Sequence, residues 1–265
     1  MRKKSKRIML TSIVLLVVTL GIYYKNFASP SETTAADISI SDADLPEPVT
    51  VIDQSSEDPI ESIDTTLKTF SKPYMLIPVA NVSQLPELPT GCEITSLTTV
   101  LNYLGYDVDK EYMAENYLDK LSDLDGSFFD YFIGSPWDDS GWGCFAPAIT
   151  TSANNYLTDC DSPYRASNIS NSSVKSLLRE VAAGNPVIVW VSTSFSSRTV
   201  YSDITLNDSS IFAWPNNEHC VVLIGYNLDE NTVTISDPMY GIVEHDIKEF
   251  IARYREFYKQ AVFIK

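Results

Sequence analysis

The run His219-Cys220-Val221-Val222-Leu223-Ile224-Gly225-Tyr226 constrains the fold of this chain more than any other segment. It is short, apolar and uncharged through its centre, as a buried strand is. A polar turn, Asn227 to Asn231, separates it from a second strand-like run, Thr232-Val233-Thr234-Ile235-Ser236, which ends at Asp237-Pro238. Two such runs joined by a turn predict an antiparallel hairpin. The start of the first strand and the end of the second then lie side by side, which brings His219 close to Asp237. A carboxylate beside an imidazole fixes its tautomer and stabilises the imidazolium, the supporting role in a catalytic triad. Each residue alone has a plainer reading: a lone histidine at a strand start is usually structural, and Asp-Pro at a strand end is commonly a turn.

A second segment supplies a nucleophile. After Thr90-Gly91-Cys92-Glu93, the residues Ile94, Leu97, Leu101 and Leu104 recur on one helical face, and Gly105 follows as a stop. Thr90 and Glu93 have the spacing of a capping box, which predicts a helix starting at Thr90 with Cys92 in its first turn. A thiol there faces unpaired backbone N–H groups and the positive end of the helix dipole, both of which favour the thiolate. The plainer reading is a small buried residue at a helix start. A thiolate nucleophile also needs a base, and the chain has 2 histidines, His219 and His245. His245 stands beside Asp246 and Glu249, which read as another helix cap, so it is expected at the surface and His219 is the candidate base.

Other landmarks complete one α/β domain. Ser173, Val174, Leu177, Leu178 and Val181 predict a capped amphipathic helix ending at Gly184, Pro186 to Val191 an apolar strand, and Gln260 to Ile264 a closing strand. An aromatic stretch between Gly126 and Phe145 either forms a lid over Cys92 or fills the core. Cys144 and Cys160 bracket an expected helix, Pro147 to Leu157, whose ends are too far apart for a disulfide. Cys220 is expected to be buried and inert. The cysteines and histidines lack the paired spacing of a zinc site, and no metal or cofactor is expected.

The order Gln84, Gly91-Cys92-Glu93-Ile94-Thr95-Ser96-Leu97, Gly184-Asn185-Pro186-Val187-Ile188-Val189-Trp190, His219 to Tyr226, and Ser236-Asp237-Pro238 with Gly241 resembles the C39-like cysteine peptidases. These are papain-fold relatives of the bacteriocin-processing peptidase domain. The resemblance runs from about Pro73 to the C-terminus. It implies a helix carrying the cysteine packed on an antiparallel sheet carrying the histidine and aspartate. It also implies a triad of Cys92, His219 and Asp237, with the Gln84 side-chain amide donating into an oxyanion hole. Without the resemblance, Gln84 reads as a solvated loop residue before Pro86.

The N-terminal part is of another kind. Arg2, Lys3, Lys4, Lys6 and Arg7 precede an apolar stretch from Ile8 to Tyr24, which is at the short limit of about 17 residues needed to cross a bilayer. Residues 1–27 are therefore expected to be a cytoplasmic basic tip and a single membrane anchor, with the rest of the chain outside. A cleaved signal peptide is the alternative. Residues 28–70, rich in Ser, Thr, Pro, Asp and Glu, read as a disordered acidic linker, and residues 71–265 as the peptidase domain. The net charge of −16 disfavours a nucleic-acid partner, since phosphate binding needs clustered cations. A peptide or protein substrate is expected at the cell surface. The alternative is a catalytically silent papain-fold module that binds a peptide or cell-wall component.

Overall fold

The run from His219 to Tyr226 lies at the centre of a sheet. The structure is a computed structural model that describes residues 70, 72–122, 127–196, 199–206 and 209–265, all within the compact unit Glu57–Lys265. The anchor expected over Ile8 to Tyr24 and the acidic linker up to Thr69 lie outside the described residues. Among those described, no helix is long and apolar enough to cross a membrane.

In chain order the elements are β1 (Tyr74–Leu76), α1 (Cys92–Tyr103), α2 (Lys110–Asn116), β2 (Lys120–Leu121), β3 (Phe132–Ile133), α3 (Ala146–Asp159), β4 (Ala166–Asn168), α4 (Val174–Ala182), β5 (Val187–Ser192), β6 (Tyr201–Thr205), β7 (Ile211–Pro215), β8 (Glu218–Asn227), β9 (Thr232–Asp237), β10 (Gly241–Asp246), α5 (Ile247–Glu256) and β11 (Ala261–Ile264). The main sheet runs β10-β9-β8-β5-β11-β4, with β1 also paired to β8. All of its pairings are antiparallel. The expected hairpin is β8 with β9, in the register Val222 opposite Ser236. On its other edge β8 pairs first with β5, up to Leu223 opposite Val187, and then with β1, where Gly225 faces Leu76. The residues from His219 to Tyr226 are all buried, because strands occupy both edges and helices cover the faces.

Helix α1 packs against β8, where the Ser96 hydroxyl donates to the Cys220 carbonyl at 3.0 Å. The amphipathic stripe understates its burial: every residue from Cys92 to Leu101 is buried. The far face is made of small hydroxyl side chains that can enter a core because they bond locally. Thr98 and Thr99 donate to the carbonyls of Ile94 and Thr95, four residues back. The expected capping box does not form. Gly91 is the N-cap and no side chain caps the helix; the Thr90 hydroxyl instead lies within reach of the Ser135 and Asp138 carbonyls.

Three further expectations resolve here. Asp246 does cap a helix, accepting from the Lys248 and Glu249 amides. His245, however, is on strand β10, half-buried and stacked on Phe195 at 3.6 Å between ring centroids, not a free surface residue. Burial lowers its pKa, opposed by the Glu249 carboxylate nearby. The aromatic stretch divides its roles: Phe128 and Phe132 are buried in the core, whereas Phe129, Trp137 and Trp142 pack against it from its edge. Phe128 stacks on Trp214 at 4.3 Å, which fastens the two-stranded ribbon of β6 and β7 to this region. The four cysteines are free thiols, with Cys92, Cys144 and Cys220 buried and Cys160 exposed.

The junction of β1 with β8 gives a direct test of this sheet. A Cβ on Gly225 would lie 2.7 Å from the Met75 carbonyl oxygen, 3.0 Å from Leu76 Cδ1 and 3.1 Å from Thr234 Cβ, and the first of these is backbone, which has little room to yield. Gly225→Ala should therefore destabilise the domain by about 1–3 kcal/mol, the usual cost of overpacking, measured as a lower thermal midpoint. An unchanged midpoint would mean that β1 is not seated against β8.

Candidate active site

The β8–β9 hairpin places His219 at the second position of β8 and Asp237 at the last position of β9. His219 Nε2 lies 3.0 Å from Asp237 Oδ1, and both side chains are 2% exposed. The same carboxylate oxygen accepts the backbone amides of Met239 at 2.7 Å and Tyr240 at 3.1 Å. Burial by itself would raise the pKa of Asp237, but the bond and charge of His219 and these two amides outweigh it and hold the carboxyl below its usual range. An ionised carboxylate accepting from Nε2 keeps the hydrogen on that nitrogen, which makes Nδ1 the basic one.

Cys92 is the first residue of α1, and its sulfur lies beside the neighbour of His219 in the chain: the Cys220 amide donates to Sγ at 3.4 Å. Its own N–H is one of those that an α-helix leaves without an internal acceptor. The thiol does not donate to His219. It donates to Glu93 Oε2 at 3.3 Å. The expectation that the helix N-terminus favours the thiolate is overturned in this state. Burial raises the Cys92 pKa well above its usual value, and the charges of Glu93, Glu218 and Cys220 add to it, against one stabilising amide. A helix terminus contributes about 0.3–1 kcal/mol, too little to offset the loss of water around the thiol of a residue that is only 6% exposed.

Two residues to which the sequence analysis gives no role in the site define its back. Glu93 is fully buried; its Oε1 accepts the Cys144 amide at 2.8 Å. Burial pushes its pKa up to about 7, opposed by bonds from its own amide, the Cys144 amide and the Cys92 thiol. Glu218 precedes His219 on β8; burial, then the Glu93 charge, raises it well above the carboxylate range. Its Oε1 has no hydrogen-bond partner. One ligand atom from each of Cys92, Glu93 and Glu218 lies within 4.8 Å of the other two. This is the one such cluster of metal-ligating side chains among the described residues, assembled from positions with no ligand-like spacing in the chain. Gly143 makes room for it, since a Cβ there would fall 2.6 Å from Glu93 Oε1 and 3.1 Å from Glu218 Oε2. The Cys144 carbonyl accepts from Trp190 Nε1 at 2.8 Å, which pins that loop from the sheet side.

Gln84 is buried, not solvated. Its Nε2 donates to the Pro89 carbonyl at 2.8 Å and the Leu88 carbonyl at 3.3 Å, while Oε1 has no partner. The loop that carries it is tied to the end of β9. The Gln84 amide donates to Pro238 O at 2.9 Å, and Asn81 Nδ2 donates to Ser236 Oγ at 2.9 Å and Asp237 O at 2.8 Å. Lys110 holds it from below, donating to Gln84 O at 3.0 Å and to the Glu87 carboxylate at 2.7 Å. The loop thus connects Asp237 to the start of α1. The only sequence signal for this clamp was a lysine at the start of a helix, which reads as solvent-facing.

Residues 76–262 match the model of the Peptidase_C39 like family. The uncharacterized protein YvpB of Bacillus subtilis (strain 168) is 30% identical over 228 residues, covering 81% of this chain and 84% of that protein. A crystal structure from Bacillus anthracis, itself only provisionally assigned as a C39-like peptidase, is 29% identical with a TM-score of 0.65; the match covers 72% of this chain and 97% of the other.

The Lys110 clamp is testable apart from any activity. Removing a buried donor to the Ser83 and Gln84 carbonyls and the Glu87 carboxylate costs about 1–3 kcal/mol. Lys110→Met should speed amide hydrogen exchange at Gln84, Leu88 and Gly91 while leaving exchange across β8 and β9 unchanged. Uniform acceleration over the whole sheet would mean that the lysine supports the core and not this loop.

Proposed function

The chain belongs to the C39-like peptidase family, and from that premise we propose that it is a cysteine peptidase cleaving peptide or isopeptide bonds through a thioester acyl-enzyme. The observation that carries this reading is the buried His219–Asp237 pair at 3.0 Å, on a strand whose next amide touches the Cys92 sulfur. In the proposed reaction Cys92 passes its proton to His219 and attacks the carbonyl. His219 returns the proton to the leaving amine, and Asp237 orients the ring and stabilises its charged form. The tetrahedral oxyanion is received by the Cys92 backbone N–H and the Gln84 amide. For Gln84 this requires that Nε2 release one of the carbonyls it now holds. We further propose that the basic tip and apolar stretch of residues 1–27 anchor the enzyme with its domain facing outward.

A second reading has its own supporting observation: the Cys92 thiol is bonded to a carboxylate, and its pKa is raised. A silent module binding a peptide or cell-wall component would keep such a thiol. Selective alkylation of Cys92 together with cleavage of a peptide library favours the enzyme; a folded protein that does neither favours the binder.

The roles predict unequal losses in peptide turnover, with thermal unfolding as the check on folding. Cys92→Ala and His219→Ala should abolish it. Gln84→Ala should cost on the order of 10²-fold, one lost oxyanion donor. Asp237→Asn should lower the rate by up to about 10⁴-fold, as an amide stabilises the imidazolium poorly. His245→Ala should change turnover little. Full activity in Cys92→Ala would end the peptidase reading. For topology, protease added to intact cells should remove the domain; a domain degraded only after lysis would reverse the proposed orientation.

A further inference from the structure

The β8–β9 ladder stops short of the two residues it brings together. Its outermost pair at this end is Val222 with Ser236, whereas His219 lies three residues earlier on β8 and Asp237 one residue later on β9. At that level the Cys220 amide donates to the Cys92 sulfur and not to β9. On its other edge β8 stays paired, with His219 opposite Val191 and Glu218 opposite Ser192 of β5. The imidazole is thus fixed to β5 and the carboxylate to β9, and among the described residues no ladder pair joins β8 to β9 where the side chains meet. We propose that the turn Thr193–Phe195, which follows β5, is a strap that supplies this link and sets the approach of His219 to Asp237, with Ser194 and Tyr240 as its positioning residues. The kinetic consequence rests on the peptidase reading; the geometry does not.

The turn crosses the start of β8. The Thr193 N–H donates to the Asn217 carbonyl at 2.8 Å, and its hydroxyl reaches the same oxygen at 3.2 Å, two residues before His219. The Ser194 hydroxyl donates to the Tyr240 side-chain oxygen at 2.8 Å. Tyr240 lies in the turn after β9, and its amide is one of the two that hold Asp237 Oδ1. Phe195 is buried and stacks on His245 of β10. The Ser196 carbonyl closes the turn, accepting from Ser192 Oγ and from Arg253 Nη1 of α5 at 2.8 Å each. A few consecutive residues therefore grip the strand that carries the base, the turn whose amides hold its carboxylate partner, and the strand beyond.

The backbone is held in place at a cost. Ser194 and Phe195 have φ of 54° and 51°, the left-handed region that residues with a side chain enter unfavourably. Tyr258 and Lys259 form another such pair, but they follow α5, where a left-handed residue is an ordinary helix stop. The pair at 194 and 195 follows a strand, where glycine would be the easier residue. Such a conformation persists where its contacts over-determine it, and here the contacts lead to His219 and Asp237. The bond between the Ser194 and Tyr240 hydroxyls is exposed, so it adds little to the stability of the fold. What it fixes is the placement of the Tyr240 amide relative to the start of β8.

This separation of stability from position is what the experiment reads. Ser194→Gly removes the hydroxyl and relieves the backbone; Tyr240→Phe removes the partner hydroxyl alone. Wild type, the two variants and the double variant are compared in thermal midpoint, in exchange of the His219 Nε2 proton with water, and in kcat and KM on a peptide that the wild type cleaves. Exchange is followed by NMR of protein carrying isotope-labelled histidine; the chain has 2 histidines, and the signal is assigned by its loss in His219→Ala. In each single variant the Nε2 proton should exchange about tenfold faster and kcat should fall about tenfold at unchanged KM, within the loss that a misplaced reacting group brings. The double variant should lose no more than either single, since both break one contact. The midpoint of Ser194→Gly should not fall below that of wild type. Unchanged exchange in both variants overturns the proposal. So does a midpoint of Ser194→Gly that falls together with kcat, or a raised KM at constant kcat, which would put these side chains against the substrate. If the wild type cleaves no peptide while exchange accelerates in the variants, the peptidase reading fails and the strap stands. Cleavage by all four proteins with unchanged exchange leaves that reading intact and removes the strap.

Discussion

Strand β8 is hydrogen-bonded along both edges and covered on both faces, and almost everything else in the domain is arranged to meet that demand. An interior strand must satisfy its amides and carbonyls on two sides. Here β9 serves one side, and β5 and then β1 share the other. The change of partner near Gly225 is possible because that residue has no side chain to hold β1 away. Helix α1 supplies cover, and its close approach to β8 requires the small residues of its inner turns, with Ser96 bonded directly to the Cys220 carbonyl.

The site lies where this packing ends. His219 and Glu218 are the first residues of β8, Asp237 is the last of β9, and Cys92 is the first of α1. Element ends leave backbone amides without regular partners, and here the Cys220 and Cys144 amides serve a sulfur and a carboxylate. Burial of so many polar groups is costly unless each is bonded. The structure meets that cost unevenly: Asp237 accepts three donors on one oxygen, whereas one oxygen of Glu218 and the Oε1 of Gln84 have none.

The protonation of Cys92 is a competition between local and tertiary electrostatics. The helix terminus favours a thiolate at Cys92, and the same terminus favours a carboxylate at Glu93, one residue along. Once the region is closed to water, the two cannot both be anions without a cation nearby. The carboxylate is the stronger acid and receives more donors, so the proton stays on sulfur. The Gln84 loop adds a mechanical link, because Lys110, Asn81 and the Pro238 carbonyl hold it between Asp237 and Cys92.

What the sequence determined by itself was local in origin. The apolar run before a polar turn specified the β8–β9 hairpin, and with it the approach of His219 to Asp237; the 3.6-residue stripe specified a helix beginning close to Cys92. These follow from neighbours in the chain, because strand and helix periodicities act over a few residues. The capping box failed because Thr90 found carbonyls at Ser135 and Asp138, far along the chain, and Glu93 was drawn to Cys144. Strand β10, which carries His245, and the β6–β7 ribbon were not legible, as their patterns are short and half-exposed. The joining of Glu93 with Glu218, the burial of Gln84 over Lys110 and the protonation of Cys92 were decided only by the tertiary structure. Each depends on how much water is left around a charge, and that is set by segments distant in sequence closing over the same point.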